Sequence, residues 1–158
     1  MQTPQWLKPI PDGSHGSGPI QKKVWKLVSD VVRIRDWYKY GGRCVSCNRV
    51  LQSWKDGQAA HYIGYTSCNN IFKWNIVNLA LSCAICNKLS DGPVGYNFGL
   101  SLKRRGINIR GLHEQNKKLQ GGKIYEADLL EYAKKLLETG LEEYPDYWDT
   151  VKKRLQVM

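Results

Sequence analysis

Four cysteines arranged in two pairs are the residues of this sequence best suited to chemistry. Cys44 and Cys47 form one Cys-x-x-Cys pair, and Cys83 and Cys86 form another. Two such pairs can aim four thiolates at one Zn²⁺ ion, and a shell of four sulfurs leaves no position for water, so the zinc would be structural. The alternative, a pair of disulfides or a redox centre, is disfavoured by a reducing cell interior. Cys68 lies outside both pairs and is expected to be a bystander thiol.

One histidine and two asparagines accompany these pairs. His61 lies in the strand-length segment 59–63, Asn78 lies in the segment 76–81, and Asn87 directly follows the second pair. This order resembles the HNH nucleases, also called ββα-metal or His-Me finger nucleases. The resemblance implies a hairpin leading into a short helix, with His61 as the general base at the end of the first strand. It also implies that Asn78 braces the hairpin and that Asn87 binds a catalytic Mg²⁺ or Mn²⁺ ion.

These residue types suit the hydrolysis of a phosphodiester. The reaction needs a base that deprotonates water and a cation that neutralises charge on the phosphate and on the leaving oxygen. The other histidines have simpler explanations, because His15 lies in a Gly/Ser-rich segment and His113 in a polar stretch.

Two phage families resemble the chain more closely. The endonuclease VII Holliday-junction resolvases also have a four-cysteine zinc site followed at once by a metal-binding asparagine. The NinG (Rap) recombination proteins of lambdoid phages share a basic helix and an ordered set of residues between the cysteine pairs and beyond. That set is Cys44, Cys47, His61, Tyr62, Asn78, Leu79, Cys83, Cys86, Asn87 and Tyr96. Both resemblances imply cleavage of branched DNA, such as a Holliday junction or a D-loop, during phage recombination.

The sequence departs from the wider HNH pattern at Ala60, where many members carry a metal-binding aspartate. The missing oxygen ligand could come from Asp91, one helical turn beyond Asn87, or from Asp56, upstream of the histidine. We favour Asp91. Each aspartate also has a purely structural explanation, since Asp56 begins a favoured turn pair with the glycine after it and Asp91 precedes a Gly-Pro helix stop.

Several elements must position these residues in what we expect to be an α+β fold. Prolines and glycines predict a flexible arm over residues 1–19, and helical spacing of apolar residues with lysines between them predicts a basic amphipathic helix over 20–42. We assign residues 43–100 to a zinc-stabilised ββα-metal (HNH) core. Residues 101–158 are assigned to a basic segment and C-terminal helices, one closed by Gly140 and a last one starting near Pro145.

The charge of the chain indicates a polyanionic partner. The formal net charge is +10, and residues 1–120 hold eighteen Lys and Arg against six Asp and Glu. Cations gain affinity for DNA by displacing counterions from phosphate. The predicted DNA contacts are Lys22, Lys23, Lys26, Lys103, Arg104 and Arg105.

Composition also bounds location and assembly. No apolar run is long enough to cross a bilayer and no signal peptide is recognisable, so we expect a protein of the host cytoplasm. Two matched cuts in a four-way junction suggest a homodimer, whose surface would use apolar faces of the N- or C-terminal helices. Two alternatives to a nuclease remain: a zinc-stabilised DNA-binding module without catalysis, and an RNA-binding zinc protein.

Overall fold

The computed structural model describes residues 18–64, 72–89, 92–119 and 124–138, together with residue 153. Within these residues the fold combines α-helices with a two-stranded antiparallel sheet, which confirms the predicted α+β class. The elements are α1 (Pro19–Tyr40), β1 (Gln58–His61), β2 (Leu79–Ser82), α2 (Ala84–Lys88), α3 (Pro93–Arg104), α4 (Ile109–Lys118) and α5 (Glu126–Glu138). Residues 1–17 of the predicted arm lie outside the described residues, as does the helix predicted after Pro145 except for residue 153, which is helical.

Helix α1 is the centre of the main hydrophobic core. Its apolar residues recur at helical spacing and are fully buried, and the helix ends where Gly41 adopts the left-handed conformation with φ 71°. The buried residues are Val24, Leu27, Val28, Val31, Val32 and Ile34. They pack against α5 and one face of the hairpin. The helix predicted from periodicity is therefore confirmed, and its apolar face is occupied within the chain.

A buried carboxylate joins α1 to the hairpin and to α3. Asp36, with no exposed surface, accepts hydrogen bonds from the Leu81 backbone N–H at 2.7 Å, from Arg35 at 2.7 Å and from Arg105 at 2.9 Å. Arg35 also donates to the carbonyls of Ile76 and Leu79, at 2.9 and 2.8 Å. Because a buried charge is stable only when it is paired and hydrogen-bonded, this network fixes the position of the hairpin against α1.

The two strands of the hairpin begin and end at different residues from the segments 59–63 and 76–81 that were predicted as strands. Gln58 pairs with Ser82 and His61 pairs with Leu79. Residues 76–78 form a 3₁₀ turn instead of a strand, since the Asn75 side chain accepts a hydrogen bond from the Val77 N–H at 2.9 Å. The second strand consequently begins three residues later and runs directly into the second cysteine pair.

Helix α4 and the last turn of α3 lie in the region predicted as a basic segment, and the rest of α3 lies in the predicted core. Helix α3 runs without interruption through residue 100, where the sequence suggested a boundary between core and C-terminal segment. Pro93 begins it, and the Asn108 side chain caps α4 by accepting the Gly111 N–H at 2.9 Å. Among the described residues, no helix is both long and apolar enough to cross a lipid bilayer.

Candidate functional site

The four paired cysteines converge on one point. The Sγ atoms of Cys44, Cys47, Cys83 and Cys86 all lie within 4.8 Å of one another, and Cys47 and Cys83 approach to 3.9 Å. Tetrahedral coordination with Zn–S bonds of about 2.3 Å places sulfurs roughly 3.8 Å apart. The donor set and its spacing therefore fit a zinc ion, and three of the four thiols are shielded from solvent.

Local backbone structure forms each half of this cluster. In the first pair, the Cys44 N–H donates to the Arg49 carbonyl and the Asn48 N–H donates back to the Cys44 carbonyl; Asn48 adopts a positive φ of 62° to close the turn. In the second pair, Cys83 caps α2 and its sulfur accepts the Cys86 N–H at 3.5 Å. A hydrogen bond of 2.9 Å from Val45 to the Leu81 carbonyl holds the first pair beside β2.

The thiols of the cluster differ in acidity. Burial and the neighbouring sulfurs raise the pKa of Cys86, whereas backbone N–H groups, acting against burial, lower the pKa of Cys44 to about 6. Four thiolates cannot be held together without a compensating charge, and a bound divalent cation would supply it.

His61 ends β1 and is held on two sides. Its Nε2 lies 2.9 Å from the Lys73 carbonyl oxygen, and its ring stacks on Trp25 of α1 with centroids 5.3 Å apart and planes 7° from parallel. A carbonyl can only accept, so Nε2 carries the proton and Nδ1 holds the lone pair. Neither the Trp25 nor the Lys73 contact could be predicted from the sequence, because both depend on packing between distant segments.

The protonation of His61 is shifted towards the neutral ring. Burial lowers the pKa of His61 below its ordinary value, and the nearby Lys73 ammonium lowers it further, although the bond to the Lys73 carbonyl opposes the shift. The neutral form can accept a proton at physiological pH. This arrangement is suited to general-base chemistry at Nδ1.

Asn78 fixes the chain that follows His61. Its side chain is fully buried, and its Oδ1 accepts the Ile63 N–H at 2.8 Å while its Nδ2 donates to the Ile63 carbonyl at 3.3 Å. The Asn78 carbonyl also accepts the Tyr62 N–H at 2.8 Å. The turn before β2 thus positions the backbone of residues 62–63, two residues from the imidazole.

Asn87 forms a hydrogen bond with Gln58, a residue that was not predicted to belong to the site. Its Nδ2 donates to the Oε1 atom of Gln58 at 2.6 Å, which brings two amide side chains together at the start of β1. Asp56 ends the 3₁₀ turn before that strand, and Asp91 lies outside the described residues, as does Cys68. Gln58 and His61 are three residue steps apart along β1, or roughly 10 Å, and the alternation of the strand places their side chains on opposite faces.

Ala60, which stands where many HNH nucleases have a metal-binding aspartate, faces a hydrophobic cluster. It is 4% exposed and packs against Phe72 and Phe98 in a hydrophobic cluster under α3. Oxygen donors are the type that Mg²⁺ prefers, and Asn87 and Gln58 supply such atoms. Both are uncharged, however, so a cation bound there would depend on further negative charge, such as that of a substrate phosphate.

The predicted DNA-binding cations fall into two groups. Five of them have exposed side chains: Lys22, Lys23, Lys26, Lys103 and Arg104. Lys22 lies one helical turn before Trp25, and therefore on the same side of α1 as the ring that stacks on His61. Arg105 differs, because its side chain is only 10% exposed, pairs with Asp36 and lies 3.8 Å above the Tyr40 ring. We therefore assign Arg105 to the fold.

Comparison with known proteins identifies the family. The family model described as "Bacteriophage Lambda NinG protein" matches residues 16–133, which include the cysteine cluster, the hairpin and helices α1 to α4. No curated protein matches the chain. No solved structure matches it either. The match covers well over half of the sequence, and the chain therefore belongs to the NinG family of bacteriophage proteins.

Proposed function

We propose that this protein is a metal-dependent endonuclease of the HNH type that cuts branched DNA during phage recombination. The observation that carries the proposal is the environment of His61: a neutral imidazole at the end of β1, oriented by the Lys73 carbonyl and stacked on the Trp25 ring. A base held in one tautomer and one orientation is what water activation requires. The order β1, β2, α2, with Asn87 on the helix, supports the same reading.

The proposed chemistry is the attack of water on a DNA phosphate. Nδ1 of His61 takes the proton as the water oxygen attacks phosphorus, and the bond from phosphorus to a sugar oxygen breaks. Mg²⁺ or Mn²⁺, when bound, neutralises charge on the phosphate and on the leaving oxygen.

The surroundings of His61 also favour a polyanionic substrate. Lys22 and Lys26 are exposed on α1, and Lys22 lies one helical turn before Trp25, whose ring stacks on the imidazole. A DNA backbone bound by these lysines would lie close to the proposed base. Exposed lysines on the helix that contacts the proposed base support DNA as the substrate.

A second candidate function is a zinc-stabilised DNA-binding module without catalysis. Two observations favour it: Ala60 is buried among apolar side chains, and the partner of Asn87 is the uncharged Gln58. Such a protein would bind branched DNA through the same lysines and would never cut it.

A panel of labelled DNAs separates the two functions. Duplex, nicked, flapped and four-way DNA are incubated with the protein, with and without Mg²⁺ or Mn²⁺. We expect the branched substrates to be cut only when the metal is present. Binding without cleavage of any substrate, at any concentration of either metal, would establish the second function instead.

We extend the proposal to a homodimer, because two matched cuts in a four-way junction require two active sites. The apolar faces of α1 and α5 pack against each other within the chain, and of the surfaces first expected this leaves the helix predicted after Pro145, which lies almost entirely outside the described residues. Sedimentation equilibrium at the concentration used for cleavage tests this. A strict monomer that still cuts both strands together would contradict it.

A further inference from the structure

A cavity of about 510 Å³ opens between α3 and α4, on the side of the hairpin opposite α1. Its lining includes Tyr62, Tyr96, Lys103, Ile107 and Arg110. Its volume falls in the range of about 300–1,000 Å³ that is typical of small-ligand pockets. Nothing in the proposed hydrolysis uses it.

The wall of the cavity is aromatic and apolar. The Tyr62 ring is held edge-on by Phe98, with centroids 5.6 Å apart. It lies against Gly99, where even a Cβ atom would come within 3.2 Å of the ring. Tyr96 is 69% exposed on the rim. Exposed aromatic rings around a small cavity are the means by which proteins stack unpaired bases.

The rim of the cavity is positively charged. The Lys103 side chain is exposed, and no carboxylate is found among the described lining residues. The Arg110 side chain is 89% exposed and forms a surface pair with Glu114 at 3.0 Å. Such exposed pairs contribute little to stability, so the guanidinium can turn to a phosphate without appreciable loss. An aromatic wall with a cationic rim matches the two halves of a nucleotide, a flat base and an anionic phosphate.

The cavity also lies next to the proposed base. Tyr62 directly follows His61, and the two side chains point to opposite sides of the chain, one towards α3 and the other towards α1. Hydrogen bonds from Asn78 fix the backbone of Tyr62 and Ile63. A DNA strand passing over residues 61–62 would therefore meet the base on one side and the cavity on the other.

We propose that the cavity binds one unpaired DNA nucleotide beside the phosphate that is cut, with its base stacked against Tyr62 and Tyr96 and its phosphate at Lys103 and Arg110. This inference rests on the proposed function, because it names the feature of branched DNA that the nuclease recognises. A paired base must first leave its stack, at a cost in free energy, whereas a base at a branch is already free. The cavity would thus select branched over intact DNA.

Binding measurements without added Mg²⁺ or Mn²⁺ test the inference apart from cleavage. The probe is a flapped DNA with 2-aminopurine at the first unpaired position, whose fluorescence is quenched by stacking, and a matched duplex serves as reference. We expect Tyr96→Ala to weaken flap binding by about tenfold or more and to abolish the quenching, with duplex binding changed by less than about twofold. Tyr96→Phe should restore both.

Tyr38→Ala serves as the matched control, because it removes a partly exposed tyrosine on α1, away from the cavity. This variant should bind the flapped DNA as the parent does. Unchanged flap binding by Tyr96→Ala, equal losses on flap and duplex, or tighter binding of an RNA flap would overturn the inference. The outcomes also distinguish this inference from the proposed function. Quenching that depends on Tyr96, in a protein that never cuts DNA, would support the nucleotide-binding cavity and contradict the proposed nuclease. Cleavage by a Tyr96→Ala variant that binds flapped DNA as the parent does would support the nuclease and contradict the cavity.

Discussion

Replacing Asn78 with alanine should destabilise the protein strongly. The side chain has no exposed surface and satisfies both the N–H and the carbonyl of Ile63, which is itself 6% exposed. Alanine would leave both backbone groups buried without partners, at about 1–3 kcal/mol for each. The carbonyl contact is the longer of the two at 3.3 Å, so we expect a total loss of about 2–4 kcal/mol in the free energy of unfolding.

Asn75→Ala provides a matched control three residues away. Asn75 accepts a hydrogen bond from the Val77 N–H at 2.9 Å, but that contact is exposed, and water can replace it. We expect a loss of about 1 kcal/mol or less. Urea unfolding followed by tryptophan fluorescence, in the presence of zinc, measures both variants. If the two variants lost the same free energy of unfolding, the bracing role assigned to Asn78 would be refuted.

Two further predictions concern the zinc site and the DNA surface. The purified protein should hold about one tightly bound zinc per chain by elemental analysis. Cys83→Ser should lose the metal and unfold or aggregate, whereas Cys68→Ser should retain it. A stable, metal-free Cys83→Ser protein would contradict the zinc assignment. DNA affinity should fall steeply as the salt concentration rises. Lys26→Ala should reduce the slope of log K against log salt by about one unit, whereas Arg105→Lys should leave the slope unchanged. Equal slopes for the parent and Lys26→Ala would show that Lys26 does not contact DNA.

Local sequence patterns predicted much of the fold. The 3.6-residue spacing of Val24, Leu27 and Val31 was enough to identify α1, and Gly41 marked its end, because both signals act within a few residues of chain. The spacing of the cysteine pairs likewise predicted the cluster that the fold assembles.

Contacts between distant segments could not be read in the same way. Arg105 looks like one more cation in a basic run, but tertiary packing places it against the buried Asp36, 69 residues away. Helices α3 and α4 were obscured by their glycines, of which Gly99 is required because Tyr62 packs directly against it. The Gln58–Asn87 contact depends on how α2 folds back to β1, which no local pattern encodes.

The most direct test of the proposed nuclease is the cleavage rate of His61→Ala. Under single-turnover conditions with Mg²⁺ and branched DNA, we expect the variant to cut about a hundredfold or more slowly than the parent, with folding, zinc content and DNA affinity retained. His15→Ala should cut at the parental rate. Because burial lowers the pKa of His61, the fall of the parent's rate in acid should have its midpoint below the ordinary histidine value of about 6.5. A His61→Ala protein that cuts at nearly the parental rate would contradict the account.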